Sequence, residues 1–293
     1  MKKISAMLLA SLLLLCALAG CTADTPNAPS NTSFSGPITV VSREDGSGTR
    51  GAFIELFGIE VKNNDGSKKD MTTKEAIIAD KTDIMMTNIA GDPNAVGYIS
   101  LGSLNNTIKA LEIDGAAASV ENVKNGSYTI QRPFNIAIKG EADGLTKDFI
   151  DFILSAQGQE VVEARQYIAI AESAPDSSSS RPSGKIVVAG SSSVTPLMEK
   201  LREAYLVINP NAAIEVQLGD STSGMTMVMN GNCNIGMASR ALKDSELAEL
   251  TEIPIALDGI AVIVNNSNPL TGLTSGQVQD IFTGAILNWS DLA

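Results

Sequence analysis

The 293-residue sequence contains no histidine. That absence removes imidazole general bases, histidine-containing catalytic triads and histidine metal ligands together. Positive charge is scarce as well, with 21 Lys and Arg against 33 Asp and Glu and a formal net charge of −12. A general nucleic-acid binder carries a basic footprint, so the balance argues against that class. Any anion site must be local, built from helix N-termini and one or two arginines. Cysteine occurs three times, at Cys16, Cys21 and Cys233. Cys233 lies in the apolar stretch CNIGMAS and reads as a small buried hydrophobe. Aromatic residues make up 4% of the chain, but apolar residues reach 44%. That is enough for one large core, or for two lobes of about 100–150 residues each.

The N-terminal stretch MKKISAMLLASLLLLCALAGC has two lysines, an apolar run and small residues before Cys21. A transmembrane anchor is the competing reading. The run from Ala6 to Ala19 is shorter than the roughly 20 residues a span needs, and a signal peptide over 1–21 fits better. Its LAGC ending resembles the bacterial lipoprotein signal, which implies cleavage before Cys21, lipid on Cys21 and attachment to a membrane. Cys233 is then alone in the mature chain, so no intramolecular disulfide and no cysteine metal site is expected. Residues 22–36 are small, polar and proline-containing, as in a flexible tether. A second such run, AESAPDSSSSRPSGK at 171–185, divides the remainder near its middle and suggests two tandem domains joined by a linker.

Strand and helix patterns alternate on both sides of that run. PITVVS reads as a strand, RGAFIELFGI and TKEAIIADKT as helices, and YTIQRPFNIAIKG as a long extended segment. LTKDFIDFILS places Leu145, Phe149, Phe152 and Ile153 on one helical face. Further on, KIVVAG, AIEVQLG and CNIGMAS read as strands, as do IPIAL and GIAVIVN separately. TPLMEKLREAYLVI, SGMTMVMNG, KDSELAEL and SGQVQDIFTG read as helices. The alternation predicts an α/β fold with mainly parallel sheets.

Four loops carry groups suited to an oxyanion. In Arg43 to Thr49, REDGSGT, glycines allow close backbone approach, Ser47 and Thr49 add hydroxyl donors, and the following helix offers unpaired N–H groups. Arg43 is suited to a bidentate contact, with Asp45 placed to hold its guanidinium. GSSSVTP (190–196) and GDSTSG (219–224) sit in the same strand-to-helix setting, and MASR (237–240) closes a strand. Each loop alone is also an ordinary cap or turn. Several at the C-terminal ends of strands in one α/β chain point to a ligand site, because ligands bind at that edge of an open sheet.

These segments resemble the phosphate-binding protein family of bacterial phosphate ABC transporters. KIVVAGSSSVTPLMEKL through GIAVIVNNSNPL to QDIFTGAILNWSDL is similar to that family's N-terminal half. PITVVSREDGSGTRGAF through GDPNAVGYISLGSL and RPFNIAIKG to FIDFILSAQGQEVVE is similar to its C-terminal half. The order is reversed, so the resemblance implies a circularly permuted, two-lobed periplasmic-binding-protein (type II) fold with a hinge. The 171–185 run would then join the family's usual termini, which a coil of about 15 residues spanning roughly 20 Å can do. One lobe would combine 37–133 with 265–293 and the other would be 134–264, with crossings near Arg132–Phe134 and Val264–Asn266. The rival account is a truncated chain or one whose segments pair between copies.

The resemblance implies that phosphate is held by Arg43, Ser47, Gly48, Thr49, Ser192, Ser193 (the pair within 191–193 open by one position), Ser221 and Ser239. Asp45 would support Arg43, and Arg240 would either touch the ligand or cover its loop. Some branches of the family place an Asp at the position of Ser239 to accept the proton of hydrogen phosphate, which leaves selection against sulfate open here. The function implied is a lipid-anchored, monomeric extracytoplasmic receptor that binds inorganic phosphate and passes it to an ABC permease, without cofactor, metal or nucleic acid. The alternatives are a non-transport oxyanion-binding or phosphate-sensing lipoprotein and, from a different class, a serine hydrolase or phosphatase. The last lacks any evident base or GxSxG or SxxK constellation for its nucleophile.

Overall fold

Strand-ending turns rich in glycine and serine organise the computed structural model, which describes residues 34–63, 67–170 and 179–292. The leader, Cys21 and most of the 22–36 tether lie outside the described residues. The chain begins with β1 (Thr39–Arg43), α1 (Gly48–Leu56), the hairpin β2 (Glu60–Lys62) and β3 (Lys68–Asp70), β4 (Ile77–Ala79), α2 (Thr82–Gly91) and β5 (Ala95–Ser100). Short strands β6 (Ile108–Ala110) and β7 (Glu112–Ile113) precede α3 (Val120–Lys124), β8 (Gln131–Ile138), α4 (Gly144–Leu154) and α5 (Ala156–Ala164). Then follow β9 (Gly184–Ser191), α6 (Thr195–Ile208), β10 (Ala212–Gly219), α7 (Ser221–Met229), β11 (Ile235–Ala238) and α8 (Asp244–Leu247). The 15-residue β12 (Thr251–Asn265), β13 (Gly272–Leu273) and α9 (Ser275–Thr283) complete the set.

Helix starts follow local chemistry. Ser47 caps α1 by accepting from Arg50 N, Asp220 caps α7 by accepting from Ser223 N, and Thr274 with Gln277 forms a capping box on α9. Each such cap satisfies an N–H that the helix itself leaves unpaired. The face of α4 is apolar as its spacing predicts, with Leu145, Phe149, Phe152 and Ile153 buried.

The main sheet runs β10-β9-β11-β8-β12-β5-β1-β4. It is mixed rather than mainly parallel, since β8 and β12 pair antiparallel with their neighbours. Two cores flank it. One joins Phe53, Tyr98, Leu111, Tyr128, Val262 and Trp289, and the other joins Phe134, Phe149, Val188, Leu201, Tyr205 and Ile255. The PITVVS and KIVVAG segments thus found separate parallel sets, β1 with β4 and β5, and β9 with β10 and β11.

Three local expectations change. TKEAIIADKT is not a helix: Ile77–Ala79 forms β4, paired in parallel with Val41–Arg43, and the helix starts only at Thr82. Pairing with β1 overrides the local periodicity, and Ile77 and Ile78 are left exposed on the edge. KDSELAEL contributes only the single turn of α8. IPIAL and GIAVIVN form one continuous strand, with a register shift at Pro254/Ala256, the kind of irregularity at which a strand tolerates proline.

That strand also moves one crossing between the cores. Residues 251–259 of β12 pair with β8, and Ile260–Val264 pair with β5. The switch therefore lies at Leu257–Ile260 rather than at Val264–Asn266. On β8 it lies between Ile130, in one core, and Phe134, in the other. A third segment crosses beside them, where Ile168 bridges Leu257.

Of the 171–185 run, residues 171–178 lie outside the described residues, and the remainder is strapped down. Asp148 accepts from Ser179 Oγ (2.6 Å), Ser180 N (2.9 Å) and Tyr205 OH (2.7 Å), and Asn209 donates to Pro182 O. Burial pushes the Asp148 carboxyl up, but these hydrogen bonds outweigh it and hold the carboxyl below its ordinary value. A lowered folded-state pKa gives stability that is present above the unfolded pKa and lost as pH falls through the folded one. Asp148→Asn should therefore flatten the fall in thermal midpoint below about pH 4 and cost about 1 kcal/mol at neutral pH. Thermal melts of the two proteins across the acid range check both.

Candidate functional site

The C-terminal ends of β1, β4, β9, β10 and β11 converge from the two cores on one buried polar cluster. Arg43 ends β1 with 1% of its surface exposed. Its Nη2 donates to Ser192 Oγ (3.0 Å), its Nη1 to Thr82 Oγ1 (3.4 Å) and its Nε to Ala79 O (3.1 Å). Beside it, Thr49 Oγ1 and Ser193 Oγ lie 2.8 Å apart. Ser191 Oγ donates to Ser239 Oγ (2.9 Å), and Ser239 N donates to Ser221 Oγ (3.1 Å). Ser47, Thr49, Thr82, Ser191, Ser192, Ser193, Ser221 and Ser239 are all buried.

Of the residues singled out in the sequence, Arg43, Thr49, Ser192, Ser193, Ser221 and Ser239 meet in this cluster. Ser47 sits at its edge as the cap of α1. Gly48 completes the wall by its lack of a side chain: a Cβ there would lie 2.4 Å from Ser221 Oγ and 2.8 Å from Ser239 Oγ. All three serines of 191–193 face the cluster, each with its own partner.

One of the two supporting residues is placed differently from expectation. Glu44, not Asp45, holds the guanidinium, through paired contacts of 2.8 Å to Nε and Nη2. Asp45 is at the exposed tip of the turn, where it meets Arg50 at the start of α1 (2.8 Å). Arg240 folds over the start of α7, with its guanidinium on Glu246 (2.7 Å to each oxygen) and Nη2 3.4 Å from Thr222 Oγ1. It covers the loop and is committed to Glu246.

Two residues with structural roles here escape a reading by motif. Thr82 contributes a fifth loop to the cluster. Arg50 braces the first loop, with Nη1 donating to Arg43 O (2.7 Å) and Nε to Asp70 Oδ2 (2.8 Å). Burial pushes the Asp70 carboxyl up, but hydrogen bonds from Thr72 and the Arg50 charge prevail and hold it below its usual value. Tyr98 OH receives Arg43 N (3.1 Å) and pairs with Ser42 Oγ (2.9 Å), and burial pushes its phenol pKa up, so it stays neutral.

Chemically, the cluster is one buried guanidinium among hydroxyls that can rotate to donate. The nearby carboxylates are engaged, Glu44 by Arg43 and Asp220 by Ser223. Among the described residues no group of three or more Cys, Asp or Glu side chains converges to hold a metal ion. Contacts cross between the two cores at Arg43–Ser192, Thr49–Ser193 and Thr222 N–Gly46 O. An open cavity of about 810 Å³ lies alongside, between α1 and the Arg240–Asp244 segment, and none of the cluster hydroxyls lines it.

The PBP superfamily domain matches residues 26–157 and 175–293. Phosphate-binding protein PstS 2 of Streptococcus agalactiae is 49% identical over 294 residues, which span all of this chain and 98% of that protein. The crystal structure of a phosphate ABC transporter, phosphate-binding protein from Streptococcus pneumoniae TIGR4 is 45% identical with a TM-score of 0.70. It covers 88% of this chain and all of that one. Phosphate-binding protein PstS of Bacillus subtilis is 34% identical over 137 residues, which make up 46% of this chain and 42% of that protein.

Proposed function

The chain belongs to the PBP superfamily, and from that premise we propose that it is an extracytoplasmic receptor that binds inorganic phosphate between its two lobes and delivers it to an ABC permease. The observation that carries the reading is the buried Arg43 surrounded by hydroxyls from both lobes. A tetrahedral oxyanion needs donors on every side, and this cluster supplies them with a single full positive charge. The phosphate-binding names of the full-length relatives agree with it. The ligand residues are Arg43, Ser47, Gly48, Thr49, Ser192, Ser193, Ser221 and Ser239, with Glu44 as the partner of Arg43. The protein works by binding and hinge closure, not catalysis.

The chain carries lipid on Cys21, is a monomer and is circularly permuted. Two observations support the permutation. A full-length relative aligns end to end in this order, whereas the Bacillus subtilis protein aligns over less than half of each chain. Within the sheet, β8 from before the 171–185 run lies between β11 and β12 from after it, so segments from both sides of the run share one lobe.

Titration calorimetry on the soluble domain with phosphate, sulfate, molybdate and a phosphomonoester tests the ligand. Phosphate should bind as a single site, and sulfate should compete, because a hydroxyl such as Ser239 can turn its proton toward an anion that a carboxylate would repel. No heat with millimolar phosphate would sink the reading. Light scattering on the same sample should give a monomer, and Cys21→Ser should shift the protein from the membrane fraction to the medium.

A further inference from the structure

We propose that Thr82, the first residue of α2, is an affinity-determining residue of the anion site, acting through its hydroxyl on both Arg43 and the ligand. The proposal rests on the oxyanion reading above. Thr82 Oγ1 is 3.4 Å from Arg43 Nη1, 3.3 Å from Ser192 Oγ and 3.5 Å from Ser193 Oγ, and the residue is buried. It therefore touches the charge on its own lobe and two hydroxyls on the other.

Counting protons shows what that position does. The guanidinium donates from Nε and Nη2 to Glu44, from Nε to Ala79 O and from Nη2 to Ser192 Oγ. Among the described residues, the remaining Nη1 meets Thr82 Oγ1. A hydroxyl has one proton and two lone pairs. With a lone pair of Thr82 turned toward Nη1 and one of Ser192 toward Nη2, the protons of both hydroxyls point away from the arginine. Arginine cannot accept a hydrogen bond, so it imposes one direction on the layer. The two hydroxyl protons are then left for an oxyanion facing the layer or for the neighbouring hydroxyl 3.3 Å away. Thr82 thereby fixes the third nitrogen of the guanidinium and supplies one of the aligned donors.

The test compares Thr82→Val, which keeps the shape and removes the hydroxyl, with Thr82→Ser, which keeps the hydroxyl. A lost hydrogen bond to a charged group predicts about tenfold to hundredfold weaker phosphate binding by calorimetry for valine. Serine should stay within about threefold of the parent and match its unliganded thermal midpoint within about 2 °C, whereas valine, which leaves Arg43 Nη1 without Thr82, should melt about 2–10 °C lower. Valine binding as tightly as the parent would overturn the proposal. So would serine as weak as valine, since the methyl and not the hydroxyl would then matter. If the parent binds sulfate or molybdate but not phosphate, the phosphate reading fails while the same comparison with that anion still decides the role of Thr82. A parent that binds none of the three overturns both.

Discussion

Arg43→Ala is expected to reduce phosphate affinity by about a hundredfold to several thousandfold, the largest loss of any single substitution in the site. Truncating one member of a buried, hydrogen-bonded charge pair costs roughly 2–5 kcal/mol or more, and each 1.4 kcal/mol is a factor of ten. Arg43 is the guanidinium that reaches the cluster hydroxyls, at Ser192 and Thr82, whereas Arg50 turns to Asp45 and Asp70 and Arg240 to Glu246. The fold should survive. Glu44 retains 20% side-chain exposure and can turn to solvent once its partner is gone, and the β1 backbone stays pinned through Arg43 N on Tyr98 OH and Arg50 on Arg43 O. Arg43→Lys keeps a charge but cannot span Glu44 and Ser192 together, so it should fall between alanine and the parent. Calorimetry alongside thermal melts separates binding from stability. Affinity within about threefold of the parent for alanine would place the operative charge elsewhere.

How far the site was legible in the sequence follows from which signals are local. The serine loops at 190–196 and 219–224 and the turn at 43–49 announce themselves, because glycine and small hydroxyl residues between a strand and a helix mean the same thing in any fold. Thr82 does not. TKEAIIADKT carries a helical period, and within a helix over 73–82 Thr82 would be an unremarkable C-terminal residue. Only the pairing of Ile77–Ala79 with β1 turns it into the start of a helix aimed at the cluster.

That Glu44 and not Asp45 holds Arg43 is hidden for a related reason. Both lie within two residues of Arg43, and the turn alone decides which carboxylate folds back and which is left at the exposed tip.

The crossing in β12 was hidden by chemistry that usually means something else. Asp258-Gly259 is a common turn signal, and it separates IPIAL from GIAVIVN. In the structure these residues stay within the strand. Asp258 is the register partner of Arg132 on β8 and meets it in a fully buried ion pair at 3.1 Å, and it also accepts from Ser100 Oγ (2.8 Å). A buried carboxylate costs several kcal/mol unless it is paired and hydrogen-bonded. Here the partners come from β8 and the end of β5, elements that meet only where the two lobes join, and no local pattern reveals that. The order reversal that the resemblance implies, by contrast, requires only recognising the segments and not knowing how they pack.

Gly48→Ala tests whether binding depends on the two lobes closing on a shared wall. A Cβ at residue 48 would lie 2.4 Å from Ser221 Oγ, 2.8 Å from Ser239 Oγ and 3.1 Å from Ser239 C. The hydroxyls can rotate, but the third contact is backbone and holds the loop after β11 in place. Ser239 N in turn donates to Ser221 Oγ, so pushing one away disturbs both. The expected result is a site that still folds and cannot close. Forcing a methyl into such packing costs about 1–3 kcal/mol, and the displaced donors to a charged ligand add roughly 1.5–3 kcal/mol. Together these predict phosphate binding weakened by about a hundredfold or more. Because the clash lies between the lobes, small-angle scattering should show a smaller contraction on adding phosphate than the parent shows. A parent-like contraction with parent-like affinity would mean that the loop after β11 yields freely and that the glycine is there for the turn alone.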